Sequence, residues 1–178
     1  MRRVLRVSPW IFVFASAVVA FVTWDLLPDQ ISMKVDLHGN PTRLRDKVLW
    51  SWFGLPLLAF ATVGLLSGLR TLMPRYPELF NHPEKERFLR LPNAYREPVF
   101  AALGSILDVT SLLVALTVLE VQVLLFRAGT GHPITWAMPI ILITALAMAP
   151  VVLLMLSRVS AAVDLAERDW IAAGRPRD

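Results

Sequence analysis

Four apolar stretches alternate with three polar connections along this chain: Trp10–Leu27, Val48–Leu69, Leu103–Phe126 and Ile134–Leu156. Each is close to the ~20 residues a helix needs to cross a ~30 Å hydrocarbon core. Within them the side chains are almost all Leu, Val, Ile, Phe, Ala or small polar groups, and charge appears only at Asp25, Asp108 and Glu120. A soluble domain of this length would carry amphipathic helices with one charged face, and these stretches lack one. The pattern predicts an all-α membrane protein of four transmembrane helices. The first stretch, preceded by Arg2, Arg3 and Arg6, also resembles a secretory signal. It runs on past Ala15-Ser16-Ala17 to Leu27, so a retained helix is expected.

Between the first and second spans the pattern changes. Ile31, Met33, Val35 and Leu37 are apolar, and Ser32, Lys34, Asp36 and His38 between them are polar. Alternation of this kind is a strand signal. Gly39-Asn40-Pro41 then supplies a turn, with Gly39 expected at φ > 0. The loop Pro28–Lys47 is therefore expected to fold as a small strand-like cap over the helix ends. A short Gly-containing turn at Arg127–Pro133 pairs the third and fourth spans as an antiparallel hairpin. Gly64/Gly68, Ser16/Ala20, Ser111/Ala115 and Ala145/Ala149 form small-xxx-small pairs suited to close packing within the bundle, or in a dimer. Pro56, Pro139 and Pro150 each remove a helix donor. After the fourth span Val159, Ala162, Val163, Ala166 and Trp170 recur at helical spacing opposite Asp164, Glu167 and Arg168, so the helix is expected to continue as an amphipathic segment over 158–173.

Composition fits one bundle: 178 residues, 56% hydrophobic, with a mean hydropathy of +0.56. The net charge of +4 points to topology more than to nucleic acid. Thirteen of the 18 Lys and Arg residues flank the N-terminus, the middle loop and the C-terminus, against five at Lys34, Arg43, Arg45, Lys47 and Arg127. By the positive-inside rule both termini and the loop 70–97 are cytoplasmic, and the cap faces outward. Trp24, Trp50, Trp52 and Trp136 fall at outer boundaries and Trp10 at the inner one, as interfacial anchors. The absence of cysteine excludes disulfides and thiol chemistry.

Leu27-Pro28-Asp29-Gln30-Ile31, Asp36-Leu37-His38-Gly39-Asn40-Pro41 and Lys47 resemble the signature of bacterial membrane proteins grouped as domain of unknown function 1648. More loosely, Asn81-His82-Pro83-Glu84-Lys85 in the middle loop is similar to a segment of some members. The resemblance implies a multi-pass protein of the bacterial inner membrane, distantly related to the immunity family that protects against a sporulation-delaying toxin. Ser32, Lys34 and Val35 stand where that pattern has Pro, His and an aromatic residue, so a role resting on the histidine does not transfer.

Chemistry inside the membrane is sparse. Asp108 lies one to two turns within the third span, with Ser105 and Ser111 on its face and Gln122 nearly in line. An intramembrane carboxylate is a functional-site hypothesis, or Asp108 bonds to the basic middle loop. Asp108 and Glu120, ~18 Å apart along the helix, are too distant for a general acid/base pair. His38, His132 and Asp36 lack ligand spacing for a metal. The middle loop, with Phe80, Phe88, Leu89 and Leu91 among its charges, reads as a solvated connector lying on headgroups, with partner docking as the alternative. No catalytic, cofactor or metal set emerges. The candidate functional residues are Pro28, Asp29, Ile31, Asp36, Gly39, Pro41 and Lys47 of the cap, and Asp108. Two functions follow: a non-enzymatic protein whose cap senses, neutralises or binds a peptide or membrane-protein partner, or a small transporter using Asp108. The lipid bilayer is the remaining partner, and nucleic acid is not expected.

Overall fold

In a computed structural model of the chain, residues 2–32, 36, 44–82, 84–132, 134 and 137–174 are described. Among these residues, four helices are long and apolar enough to cross a membrane. They are α1 (Arg2–Thr23), α2 (Leu49–Leu72), α4 (Glu97–Gly129) and α5 (Ala137–Ala172), with a short α3 (Lys85–Arg90) between α2 and α4. The protein is a multi-pass, all-helical membrane bundle with one small antiparallel sheet. Its apolar residues point outward as well as inward: Phe14, Phe21, Leu57, Leu65, Leu142 and Leu153 are exposed. That is the arrangement lipid favours, since acyl chains solvate Leu as well as a protein core does.

α4 is central and packs against α1, α2 and α5. The small residues set how close the helices come. Ser16 and Ala20 on α1, and Ser111 and Ala115 on α4, are all buried. Gly64 lies against the Trp10 ring, where an added Cβ would make an ordinary contact at 3.9 Å, and Gly68 meets nothing within 4 Å. Pro98 occupies the first turn of α4, where its missing N–H costs nothing. At the other end Thr130 donates from both its N–H and its hydroxyl to the Phe126 carbonyl, and Gly131 takes φ 78°. The connection to α5 therefore starts after Gly129, later than the expected Arg127, because the helix keeps its hydrogen bonds through the glycine.

The cap is a two-stranded ladder. β1 (Gln30–Ser32) pairs antiparallel with β2 (Leu44–Asp46), in the register Gln30–Asp46, Ile31–Arg45 and Ser32–Leu44. Only the first two residues of the alternating segment fall in β1. The rest lies outside the described residues except Asp36, and so do Gly39 and Pro41.

At the opposite end of the bundle the middle segment is a folded knob and not a solvated connector. Phe88 and Leu91 bury against Met73, Val99 and Leu103, and against Val159, Val163 and Ala166 of α5. At 36 residues, α5 is about 54 Å long, well beyond the ~30 Å core. Its projecting turns supply the apolar face on which the loop folds. Arg87 crosses to them, donating to Asp164 at 2.8 Å and Glu167 at 2.5 Å, and to Glu84 at 3.0 Å. These three carboxylates raise the Arg87 pKa. His82 is buried edge-on to Phe88, 5.3 Å between ring centres. Neither ring nitrogen has a partner among the described residues, and burial lowers its pKa.

Candidate functional site

The cap begins with a problem common to all helices: the last four carbonyls of α1 have no intrahelical donor. Ala20 opens the last turn of α1. Its carbonyl accepts the indole N–H of Trp52, at 2.9 Å, from the antiparallel α2. Trp52 was expected among the interfacial anchors. It is instead buried with Ala20, Leu27 and Ile31, because the cap closes over it. Trp50, two residues earlier and 78% exposed, remains at the surface.

After α1 the chain turns through a 3-10 segment, Trp24–Leu26, and Lys47 ties both ends of the loop together. Its backbone N–H donates to the Asp29 carbonyl at 2.7 Å. Its ammonium donates to the Leu27 carbonyl at 3.1 Å and lies 4.7 Å from the centre of the Trp24 ring. A cation over an indole is attracted by the ring quadrupole, so one side chain caps a carbonyl and packs on an aromatic face. Beneath it, Leu27 and Ile31 press on Gly129 of α4, where an added Cβ would sit 3.2 Å from Leu27 Cδ2 and 3.9 Å from Ile31 Cγ2. Of the cap candidates, Ile31 and Lys47 therefore form the anchored base. Pro28 and Asp29 are exposed, and Asp36 is half-buried with an interaction of its own.

Asp108 belongs elsewhere, about 30 Å away along α4 from the Gly129 that meets the cap. Its carboxylate pairs with the guanidinium of Arg70, which also donates to the Gly104 carbonyl at 3.1 Å. The side chains are 11% and 20% exposed respectively. Gly104, one turn before Asp108, makes the fit possible: a Cβ there would lie 3.2 Å from Arg70 Cζ. Arg70 sits on the last turn of α2, so the carboxylate is held by a helix terminus bordering the basic middle loop.

Further along α4, Thr144 of α5 donates to Glu120 at 3.2 Å. The other Glu120 oxygen, both amide atoms of buried Gln122 and the Ser16 hydroxyl have no partner among the described residues. Ser105 and Ser111 donate to backbone carbonyls of α4 itself. His132 is exposed beside Thr130, and His38 lies outside the described residues. Gly104 and the capping role of Trp52 were missed by sequence reasoning, and Arg70 was covered only as one of the basic residues of the 70–97 segment to which Asp108 was expected to bond. A glycine four residues before an intramembrane carboxylate was the available signal for a bulky partner.

No curated protein and no solved structure matches the chain. Residues 11–60, from α1 through the cap into α2, match the family described as domain of unknown function, DUF1648. The helix–cap–helix segment is thus the recognisable unit of this chain, which is a four-helix membrane protein carrying a DUF1648 domain.

Proposed function

We propose that this is a non-enzymatic protein of the cell membrane whose cap binds a peptide or membrane-protein partner on the outer face. Both termini and the knob are then cytoplasmic, as the distribution of Lys and Arg favours. The observation that carries the reading is the anchoring of the cap. Trp52, Lys47 and Ile31 fix its base to the helix ends, while Pro28, Asp29, Arg45 and Asp46 remain exposed. A loop that only joined two helices would not need a buried isoleucine, a capped helix terminus and a ladder. The family match spans this same segment. The transporter alternative draws no support from Asp108, whose carboxylate is engaged by Arg70, so a proton or solute path would have to break that pair.

Photo-crosslinking in living cells tests this reading. A benzoylphenylalanine at Arg45 should yield a discrete adduct, and one at lipid-exposed Leu142 should not. Gly39→Val should abolish the adduct with membrane insertion intact, and Asp108→Asn should leave it unchanged. An adduct absent from every cap position, together with Asp108-dependent flux in proteoliposomes, would replace the binding reading by transport.

A further inference from the structure

Two cavities open side by side between α1 and α2, and Trp10 lines both. The first, about 540 Å³, is an apolar groove in the spanning part of the bundle, walled by Val13 and Phe14 of α1 and by Phe53, Leu57 and Phe60 of α2. The second, about 400 Å³, lies toward the knob and is polar: Arg6, Ser67, Arg70 and Thr71 line it, with Asp108 behind Arg70. Trp10 stands at the junction, edge-on to Phe60 at 5.5 Å. Each volume is in the range of small-molecule sites.

The charges differ in availability. Arg70 is neutralised by Asp108, whereas Arg6 is exposed and has no carboxylate partner among the described residues. The polar cavity therefore carries a net single positive charge, with the Ser67 hydroxyl beside it and the Thr71 hydroxyl donating to the Ser67 carbonyl at 3.0 Å. A positive, hydroxyl-lined pocket at the end of an apolar groove, both facing the membrane, is complementary to one kind of molecule. We propose that the α1–α2 cleft is a binding site for an anionic phospholipid, its phosphate between Arg6 and Arg70 and an acyl chain in the groove beyond Trp10. Ten residues separate Trp50 from Phe60 on the groove wall, about 15 Å of helix. In the orientation proposed above the headgroup lies in the cytoplasmic leaflet, where anionic lipids concentrate.

The full-length protein, delipidated in detergent and titrated with phosphatidylglycerol or phosphatidylcholine under native mass spectrometry, tests the site. Phosphatidylglycerol should bind more tightly than phosphatidylcholine. Arg6→Gln, which leaves the Arg70–Asp108 pair alone, should weaken phosphatidylglycerol about fivefold, the effect of one basic residue at an anionic surface, with phosphatidylcholine unchanged. Ala17→Trp, which fills the groove, should weaken both lipids, and millimolar inorganic phosphate should displace neither. Equal binding of both lipids with Arg6→Gln silent would mean ordinary boundary lipid and overturn the proposal. Displacement by inorganic phosphate that is indifferent to Ala17→Trp would make the pocket a free-phosphate site. A dimer that Ala17→Trp dissociates, with no lipid retained, would make the groove a contact between copies. None of these readouts depends on the cap, so the site stands or falls apart from the partner-binding reading.

Discussion

Removing either partner of the Arg70–Asp108 pair should destabilise the bundle, and unequally. Breaking a buried ion pair by deleting one member costs about 3–5 kcal/mol, because the other charge is left uncompensated. Here the survivors differ in what they can do. Asp108 is a short side chain on α4, about 16 Å of helix from Glu97 where α4 begins, and 11% exposed. After Arg70→Ala its carboxylate loses its ion partner and, as a short side chain in the wall of the polar cavity, cannot extend to find another, so the loss should be about 3 kcal/mol. Arg70 is on the last turn of α2, is 20% exposed and has a long stem. After Asp108→Ala its guanidinium keeps the Gly104 carbonyl or extends to the headgroups, which lowers the cost to about 1–2 kcal/mol. Replacing both by apolar residues, as in Arg70→Met with Asp108→Leu, leaves no stranded charge and should recover most of the loss. The assay is reversible unfolding in mixed micelles, followed by tryptophan fluorescence. An Asp108→Ala loss equal to or larger than that of Arg70→Ala would refute this account of the asymmetry. A double variant as unstable as Arg70→Ala would refute the electrostatic origin altogether.

Gly104→Ala brings a Cβ to 3.2 Å from Arg70 Cζ, so it should cost about 1 kcal/mol in the same unfolding assay, with the Arg70→Met background removing that cost. Trp52→Phe keeps an aromatic ring but removes the indole donor to the Ala20 carbonyl. It should lose about 1–2 kcal/mol and speed hydrogen exchange at the end of α1. His82 has its pKa lowered by burial, so the unfolded state binds more protons below its ordinary value of 6.5. Stability of the knob should therefore be full above about pH 6.5 and fall as the pH drops below it, measured as resistance of the 70–97 segment to a pH-tolerant protease, and His82→Phe should flatten the profile. Arg87→Gln removes contacts to three exposed or half-exposed carboxylates and should make the same segment easier to cleave, with high salt narrowing the difference.

The spans were legible because lipid imposes a composition rule with few exceptions, and the four apolar stretches meet it without ambiguity. The cap was legible in part. Alternation located a strand at Ile31 but did not show where its partner lay, because Leu44-Arg45-Asp46 is too short and too charged to read as a strand alone. It becomes one through pairing to Gln30–Ser32. Trp52 looked like a boundary anchor because a tryptophan near a span end fits either role, and only the antiparallel contact with α1 decides between them. The knob was hidden for a similar reason. Phe88 and Leu91 lie among charges, and the surface that buries them comes from Val159, Val163 and Ala166, some seventy residues later. Arg70 was read only as one more basic residue of the loop, since nothing local marks a side chain that turns back onto another helix.

α5 is one uninterrupted helix from the hairpin turn to the far side of the knob, with Pro150 in its interior. Proline deletes a hydrogen bond and loosens the rod at that point, so the helix is a beam with a built-in fulcrum. The arm toward Ala172 is about 33 Å long and the arm toward Ala137 about 20 Å. A flexure of about 5° there swings the two tips by about 3 Å and about 2 Å respectively, at the 1.5 Å rise that fixes the arm lengths. The long arm carries both the apolar face that buries Phe88 and Leu91 and the carboxylates that Arg87 grips, so the leverage falls on the knob, which is bound to move with that arm.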